Sequence, residues 1–348
     1  MTRRLLVAAS ILICVLGSAS PALADPATPT NYRSTVETVA PDVGYTAEII
    51  GGDAFVRLTA PPGLDLVVLG YEGEPYIWFR GDGTVLVNQR SPATFLNDDR
   101  YAAVTLPPEA DAQAEPDWEP VASEGSWSWH DHRTHWMART PPGVVEEGNR
   151  GTDDTEAEID IFDWTLPLVV DGEPGAVDGS LVWVPSASPV PWIVLAVVTG
   201  GVVLVLGRRR SWVMSASETV AAAAAAMVGI GAFVAQPADI RTVNVDLVGP
   251  MVALLLGGYA LWRARDESVT ARRLGVVAAA ALGAWAVLRI GVLLYPLLPT
   301  VLPYWFDRFV TASSLGVAAG AIGGFLVASA RIQPEGTPKV AGPERDPS

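Results

Sequence analysis

The chain has 348 residues, half of them apolar and 18% charged, with a mean hydropathy of +0.30 and a formal charge of −15. That balance is too apolar for a soluble enzyme and too interrupted for a bare membrane bundle. The acid is concentrated in residues 25–190, where 29 Asp and Glu face 8 Lys and Arg for a net of −21, while the remainder carries +6. A surface of that sign repels phosphate backbones, which excludes nucleic acid as a partner, and it concentrates cations.

In chain order, Met1–Ala24 reads as a secretory signal. Arg3 and Arg4 precede an apolar run from Leu5 to Leu16, and Ala22-Leu23-Ala24 forms a cleavage site before Asp25. The lone cysteine, Cys14, lies in this leader, so the mature chain has neither a disulfide nor a thiolate ligand.

Residues 25–190 are expected outside the membrane as an antiparallel β-sandwich of Ig-like type. Short β-branched or alternating runs recur at Tyr45–Ile50, Ala54–Thr59, Leu66–Gly70, Tyr76–Phe79, Thr84–Val87, Trp164–Val170 and Leu181–Val184. Gly, Pro and Asp turn signals separate them. Asn88–Asn97 is polar and proline-broken, which predicts a loop or edge tied down by side-chain hydrogen bonds. Asp111–Glu119 and Val144–Glu158 read as long acidic loops. Seven tryptophans in this part predict core or core-rim positions.

All three histidines fall in Trp127-Ser-Trp-His130-Asp131-His132-Arg133-Thr-His135-Trp-Met137. On a strand, residues two apart share a face, so His130 and His132 point the same way. His135 has the wrong parity and joins them only if the chain turns near Arg133-Thr134. Three imidazoles suit zinc or copper, and the Met137 thioether tips the choice towards copper. Asp131 is a further candidate ligand. The metal set is therefore His130, His132, His135, Met137 and Asp131, with affinity expected to fall below about pH 6.5 if the imidazoles titrate normally. A second reading makes the run a buried corner, in which the imidazoles bond backbone carbonyls and Asp131 pairs with Arg133 or Arg139. No nucleophile elbow accompanies Ser126 or Ser128, so the chain reads as a non-enzyme.

Five apolar runs then predict a transmembrane bundle over residues 191–332: Pro191–Gly207, Val213–Ala235, Leu247–Trp262, Leu274–Tyr295 and Phe309–Ala330. Arginine is concentrated at 208–210, at 263–273 and after 330, which puts those segments and the C-terminus in the cytoplasm. Small residues crowd the spans and permit close packing. Glu218 and Arg289 are the ionisable residues within spans, and Arg289 can pair with Asp246 and Asp307. The tail, 333–348, has a disordered composition.

The run from Trp129 to Met137, together with Asn88–Asn97, resembles a family of actinobacterial membrane proteins built from a signal peptide, a β-rich exported domain and C-terminal helices. That resemblance implies the architecture and no activity. The plan is also similar to copper-resistance proteins that join an exported β-sandwich to membrane helices, although Asp25, not histidine, would open the mature chain here. The combined expectation is a membrane-anchored metal-handling or metal-sensing protein of the cell envelope, with copper as the cofactor and zinc as the alternative. The competing readings are a sandwich that docks an envelope protein partner, and a small-solute transporter.

Overall fold

The computed structural model describes residues 27–145, 157–241, 245–264 and 269–330. The leader, most of the acidic loop after Val145, and the tail lie outside the described residues. The chain divides into two compact units: the β-sheets together with 224–248 and 288–311, and the remaining helical segments.

Among the described residues ten antiparallel strands form two sheets. They are β1 (Tyr32–Ala40), β2 (Thr46–Ile50), β3 (Phe55–Thr59), β4 (Leu66–Leu69), β5 (Pro75–Phe79), β6 (Val85–Asn88), β7 (Trp118–Ala122), β8 (Ser126–Trp129), β9 (Ile159–Val170) and β10 (Glu173–Trp183). The larger sheet runs β1-β10-β9-β4-β5-β6-β7 and the smaller β2-β3-β8. Alternation explains the layering. Leu66 and Val68, Ile77 and Phe79, Leu166, Leu168 and Val170 point one way from the large sheet. They share a single buried cluster with Val56, Leu58 and Trp129 of the small sheet. Trp164 lies in the same core and donates its indole N–H to Ser34 Oγ at 2.9 Å.

The predicted runs all fall on strands. Three strands escaped the sequence reading. β1 is long, largely polar and interrupted by a register shift between Val36 and Thr38. β7 carries Pro120 and sits at the sheet edge, the position where a strand tolerates a residue without N–H. β8 is only four residues long. Asn88–Asn97 contains a one-turn helix, α1 (Pro92–Leu96), capped by Ser91 Oγ. Asn88 fastens its start, donating to Pro75 O at 2.7 Å and accepting from the backbone N–H of Arg90 and of Asp117. Asn97 fastens its end by donating to Tyr76 Oη at 3.1 Å. Those bonds are the tie-down role expected of this segment.

Among the described residues five helices follow: α2 (Val190–Arg209), α3 (Ser211–Ala235), α4 (Val248–Trp262), α5 (Val269–Leu288) and α6 (Tyr304–Ala330). Four of them are long and apolar enough to cross a membrane; α4, at 15 residues, is shorter. The expected five spans are thus met in four. Large apolar side chains on these helices face outward, among them Val197, Leu255, Trp262 and Leu326, as lipid-facing residues do. In the helical unit α2 and α6 meet at glycines: a Cβ on Gly316 would stand 2.3 Å from Ala196 O, so only glycine fits there. Glu218 is 1% exposed and is faced by Gly257 and Gly275, whose missing side chains make room for it. In the other unit Arg289 bonds Asp246 at 2.7 Å and Asp307 at 2.9 Å, the pairing its placement in the sequence predicted.

Candidate metal centre

β8 ends at Trp129, so His130 and His132 do not ride on one strand face as the spacing predicted. The chain instead breaks into a 3-10 turn, His132–Thr134, whose N-cap is Asp131. The cap side chain accepts from Arg133 N at 3.1 Å, and Thr134 N–H closes the turn on Asp131 O. This short-range chemistry reverses the chain between His132 and His135. It supplies the turn that His135 needed. The three rings gather with centroid separations of 5.4 Å (His130–His132), 4.2 Å (His130–His135) and 5.3 Å (His132–His135). One ring nitrogen from each lies within 4.8 Å of the others.

In each imidazole one ring nitrogen donates to a backbone carbonyl. His130 Nδ1 bonds Ala54 O at 2.6 Å, His132 Nε2 bonds Asp99 O at 2.8 Å, and His135 Nδ1 bonds Trp136 O at 3.1 Å. These bonds fix three tautomers. They leave Nε2 of His130, Nδ1 of His132 and Nε2 of His135 with their lone pairs. This is the outer hydrogen bonding that orients histidine ligands in metal proteins. Both remaining Nε2 atoms are buried and have no hydrogen-bond partner among the described residues. An unsatisfied buried acceptor costs about 1–3 kcal/mol each, which an electron-pair acceptor would relieve. His130 is 6% exposed and His135 1%, while His132 is half-buried and forms the open side.

Burial also sets the protonation. It pushes the His130 imidazole down to about 4, against the opposing pull of the Ala54 hydrogen bond. Burial, then the neighbouring His130 and Arg100, push His135 down to about 2. His132 is lowered too, again chiefly by burial. All three are neutral at pH 7, the form that binds metal. Ligand nitrogens around one ion at about 2.0–2.1 Å sit about 3.4 Å apart in tetrahedral geometry, so binding draws the rings together by roughly an ångström.

The other two residues of the predicted set stand elsewhere. Asp131 is fully buried, but its oxygens are committed to Arg133 Nε at 2.8 Å, Arg133 Nη2 at 2.7 Å and Trp129 Nε1 at 3.0 Å. Its role is to build the turn. Met137 is 36% exposed, beyond the buried cluster, and gives no structural reason to prefer copper. The corner reading and the metal reading therefore describe the same object: the carbonyl bonds and the Asp131–Arg133 pair hold the three gathered rings, and each ring keeps a nitrogen that the carbonyls do not use. Comparison with family models, with curated proteins and with solved structures gave no match to the chain.

Two residues of the site were not legible in the sequence. Ala54 O and Asp99 O, the carbonyls that orient His130 and His132, are chain neighbours of Asp53 and Arg100, which form a buried ion pair at 2.5 Å. Burial pushes the Asp53 carboxyl up to about 6 although Arg100 opposes the shift. The pair clamps the two loops that present the carbonyls. Arg100→Ala should therefore weaken metal binding by about 10- to 100-fold, the usual cost of losing an outer partner, with Arg100→Lys closer to wild type. Removing the cation also lifts a repulsion on the metal, so calorimetry separates the effects by sign: tighter binding in Arg100→Ala would mean that charge outweighs position.

Proposed function

We propose that the protein is a non-enzymatic, membrane-anchored metal-binding protein that holds one transition-metal ion on His130, His132 and His135. The observation that carries the reading is the convergence of three neutral imidazoles whose far nitrogens are each fixed by a carbonyl. An all-nitrogen set without thiolate suits Cu(II) and Zn(II), and the Irving–Williams order makes copper the tighter of the two. The acidic composition of residues 25–190 supports cation capture at this site. Titration of the full chain in detergent should show one equivalent of copper, and more weakly one of zinc, bound per chain. His130→Ala, His132→Ala or His135→Ala should each lower affinity by more than roughly 100-fold, since a lost ligand costs more than a lost outer partner. Binding that is unchanged in all three variants would sink the proposal.

We further propose that residues 25–190 face the outside and that α4 crosses with the other four helices, giving a cytoplasmic C-terminus. The arginines at 208–210, 263, 272 and 273 support this orientation. Reporter fusions at Arg210, Asp266 and the C-terminus should all read cytoplasmic. Asp266 and the C-terminus both reading external, with Arg210 inside, would mean that α4 does not span.

A further inference from the structure

Four consecutive interactions of the Gly51–Phe55 turn run from the histidine cluster to the segments that join the helices. Ala54 O holds His130 Nδ1 at 2.6 Å. Asp53 holds Arg100, whose neighbour Asp99 holds His132. Phe55 and Ala54 form a small buried cluster with Ile240, from the segment between α3 and α4. Gly52 packs at Leu297, from the segment between α5 and α6, where a Cβ on it would stand 3.6 Å from the Leu297 side chain. Leu297 is in turn held by a two-bond antiparallel bridge to Thr30, at 3.1 and 3.2 Å. The neighbouring Leu294 O accepts from Ala187 N at 2.8 Å. All these groups belong to one compact unit.

The turn has little room to absorb a displacement. Gly51 and Gly52 both adopt positive φ, and a Cβ on Gly52 would meet Thr30 Cγ2 at 2.7 Å and Tyr32 O at 3.0 Å. Phe55 is fully enclosed. Closing three imidazoles on an ion moves or stiffens His130, and His130 is bonded to the backbone of this turn. Packed contacts of this kind respond as a unit and do not deform by degrees.

We infer that the cluster is a metal sensor: an ion bound to it tightens the Gly51–Phe55 turn and, through Phe55–Ile240 and Gly52–Leu297, orders the segments at 236–241 and 294–300. This inference rests on the metal reading of the site. It assigns that site a signalling role that metal storage or delivery would not need. The coupling is reciprocal: if metal stabilises the contact with Ile240, weakening that contact weakens metal binding by the same factor.

The test uses the full chain in nanodiscs and zinc, a redox-inert ion, as the probe. Amide hydrogen exchange is followed in peptides covering 236–241 and 294–300, with zinc binding measured by calorimetry on the same preparations. Zinc should slow exchange in both segments by at least about threefold, the signature of local opening made rarer. His132→Ala, which removes the half-buried ligand, should abolish the response. Ile240→Ala should still bind zinc, more weakly, with the response at 236–241 lost. Zinc that binds by calorimetry while exchange in both segments stays unchanged overturns the sensor and leaves the metal site standing. Failure of zinc to bind overturns both, the site first.

Discussion

Asp131→Ala is expected to lower the stability of the β-sheet unit by about 3–5 kcal/mol, the cost of breaking a buried ion pair from one side. The carboxylate is fully enclosed and takes four hydrogen bonds: two from the Arg133 guanidinium, one from Arg133 N–H and one from the Trp129 indole. Removing it leaves Arg133, itself largely buried, facing its lost partner and uncaps the 3-10 turn. Burial alone would raise the Asp131 carboxyl. Arg133, through charge and hydrogen bonds, and Trp129 reverse that, and the net shift is downward. A depressed carboxylate contributes stability above its unfolded value near 3.9, lost as pH falls through the lower folded value, so the pair is intact at every pH of ordinary work. Tryptophan-monitored thermal unfolding of the full chain in detergent measures the loss. Asp131→Asn keeps the cap and should lose less. Were Asp131 a metal ligand instead, Asn would reduce affinity with little change in stability. The structure-forming role predicts instead a loss of stability in the metal-free chain, with any loss of affinity following from the loosened turn.

Why so much of the β-domain could be read from sequence, and so little of its site, follows from range. β4, β5 and the second half of β9 bury one face each, so their alternating residues carry the information locally. β1 does not, because only Ser34 of its nine residues is buried and its pairing to β10 is interrupted by a bulge. The histidine run was visible as a run, and the need for a turn at Arg133-Thr134 followed from strand parity. What parity could not supply was the cap at Asp131, which ends the strand one residue before His130 and converts a candidate ligand into scaffold. The carbonyl partners were further out of reach. Ala54 meets His130 only because β3 pairs with β8 in the register Val56–Trp129, and Asp99 arrives from a loop between α1 and β7. Gly51-Gly52-Asp53 was legible as a turn, not as one whose aspartate clamps Arg100. Among the helices the Arg289 pairing was legible because the bilayer leaves an arginine few partners, whereas the span count was not. α4 is preceded by a 3-10 turn that takes residues a longer helix would have used.

Affinity for metal should fall far less between pH 7 and 5 than the loss below about pH 6.5 that three ordinary imidazoles would give. Three unperturbed imidazoles at pH 5 are each roughly 97% protonated, and competition from three protons would weaken binding by roughly four orders of magnitude. In the folded chain His130 titrates at about 4 and His135 at about 2, so neither holds much proton at pH 5. Only His132, half-buried and also lowered, remains to compete, and the loss should stay below the roughly 30-fold that one unperturbed imidazole would give. The same burial appears with opposite sign in the stability of the metal-free chain. A histidine whose folded value is depressed binds its proton only when unfolded, so its contribution is complete above pH 6.5 and declines on acidification towards the folded value. Between pH 7 and 5 this costs about 2 kcal/mol for His130. Asp53 acts against it: burial raises its carboxyl to about 6, so the folded chain takes up its proton first, offsetting the loss by about 1 kcal/mol. Calorimetric titration at pH 7, 6 and 5, restricted to conditions where unfolding scans show a folded chain, isolates the affinity term. A fall approaching four orders of magnitude would mean that the imidazoles are solvated and the cluster is not the closed, carbonyl-fixed set that the hydrogen bonds describe.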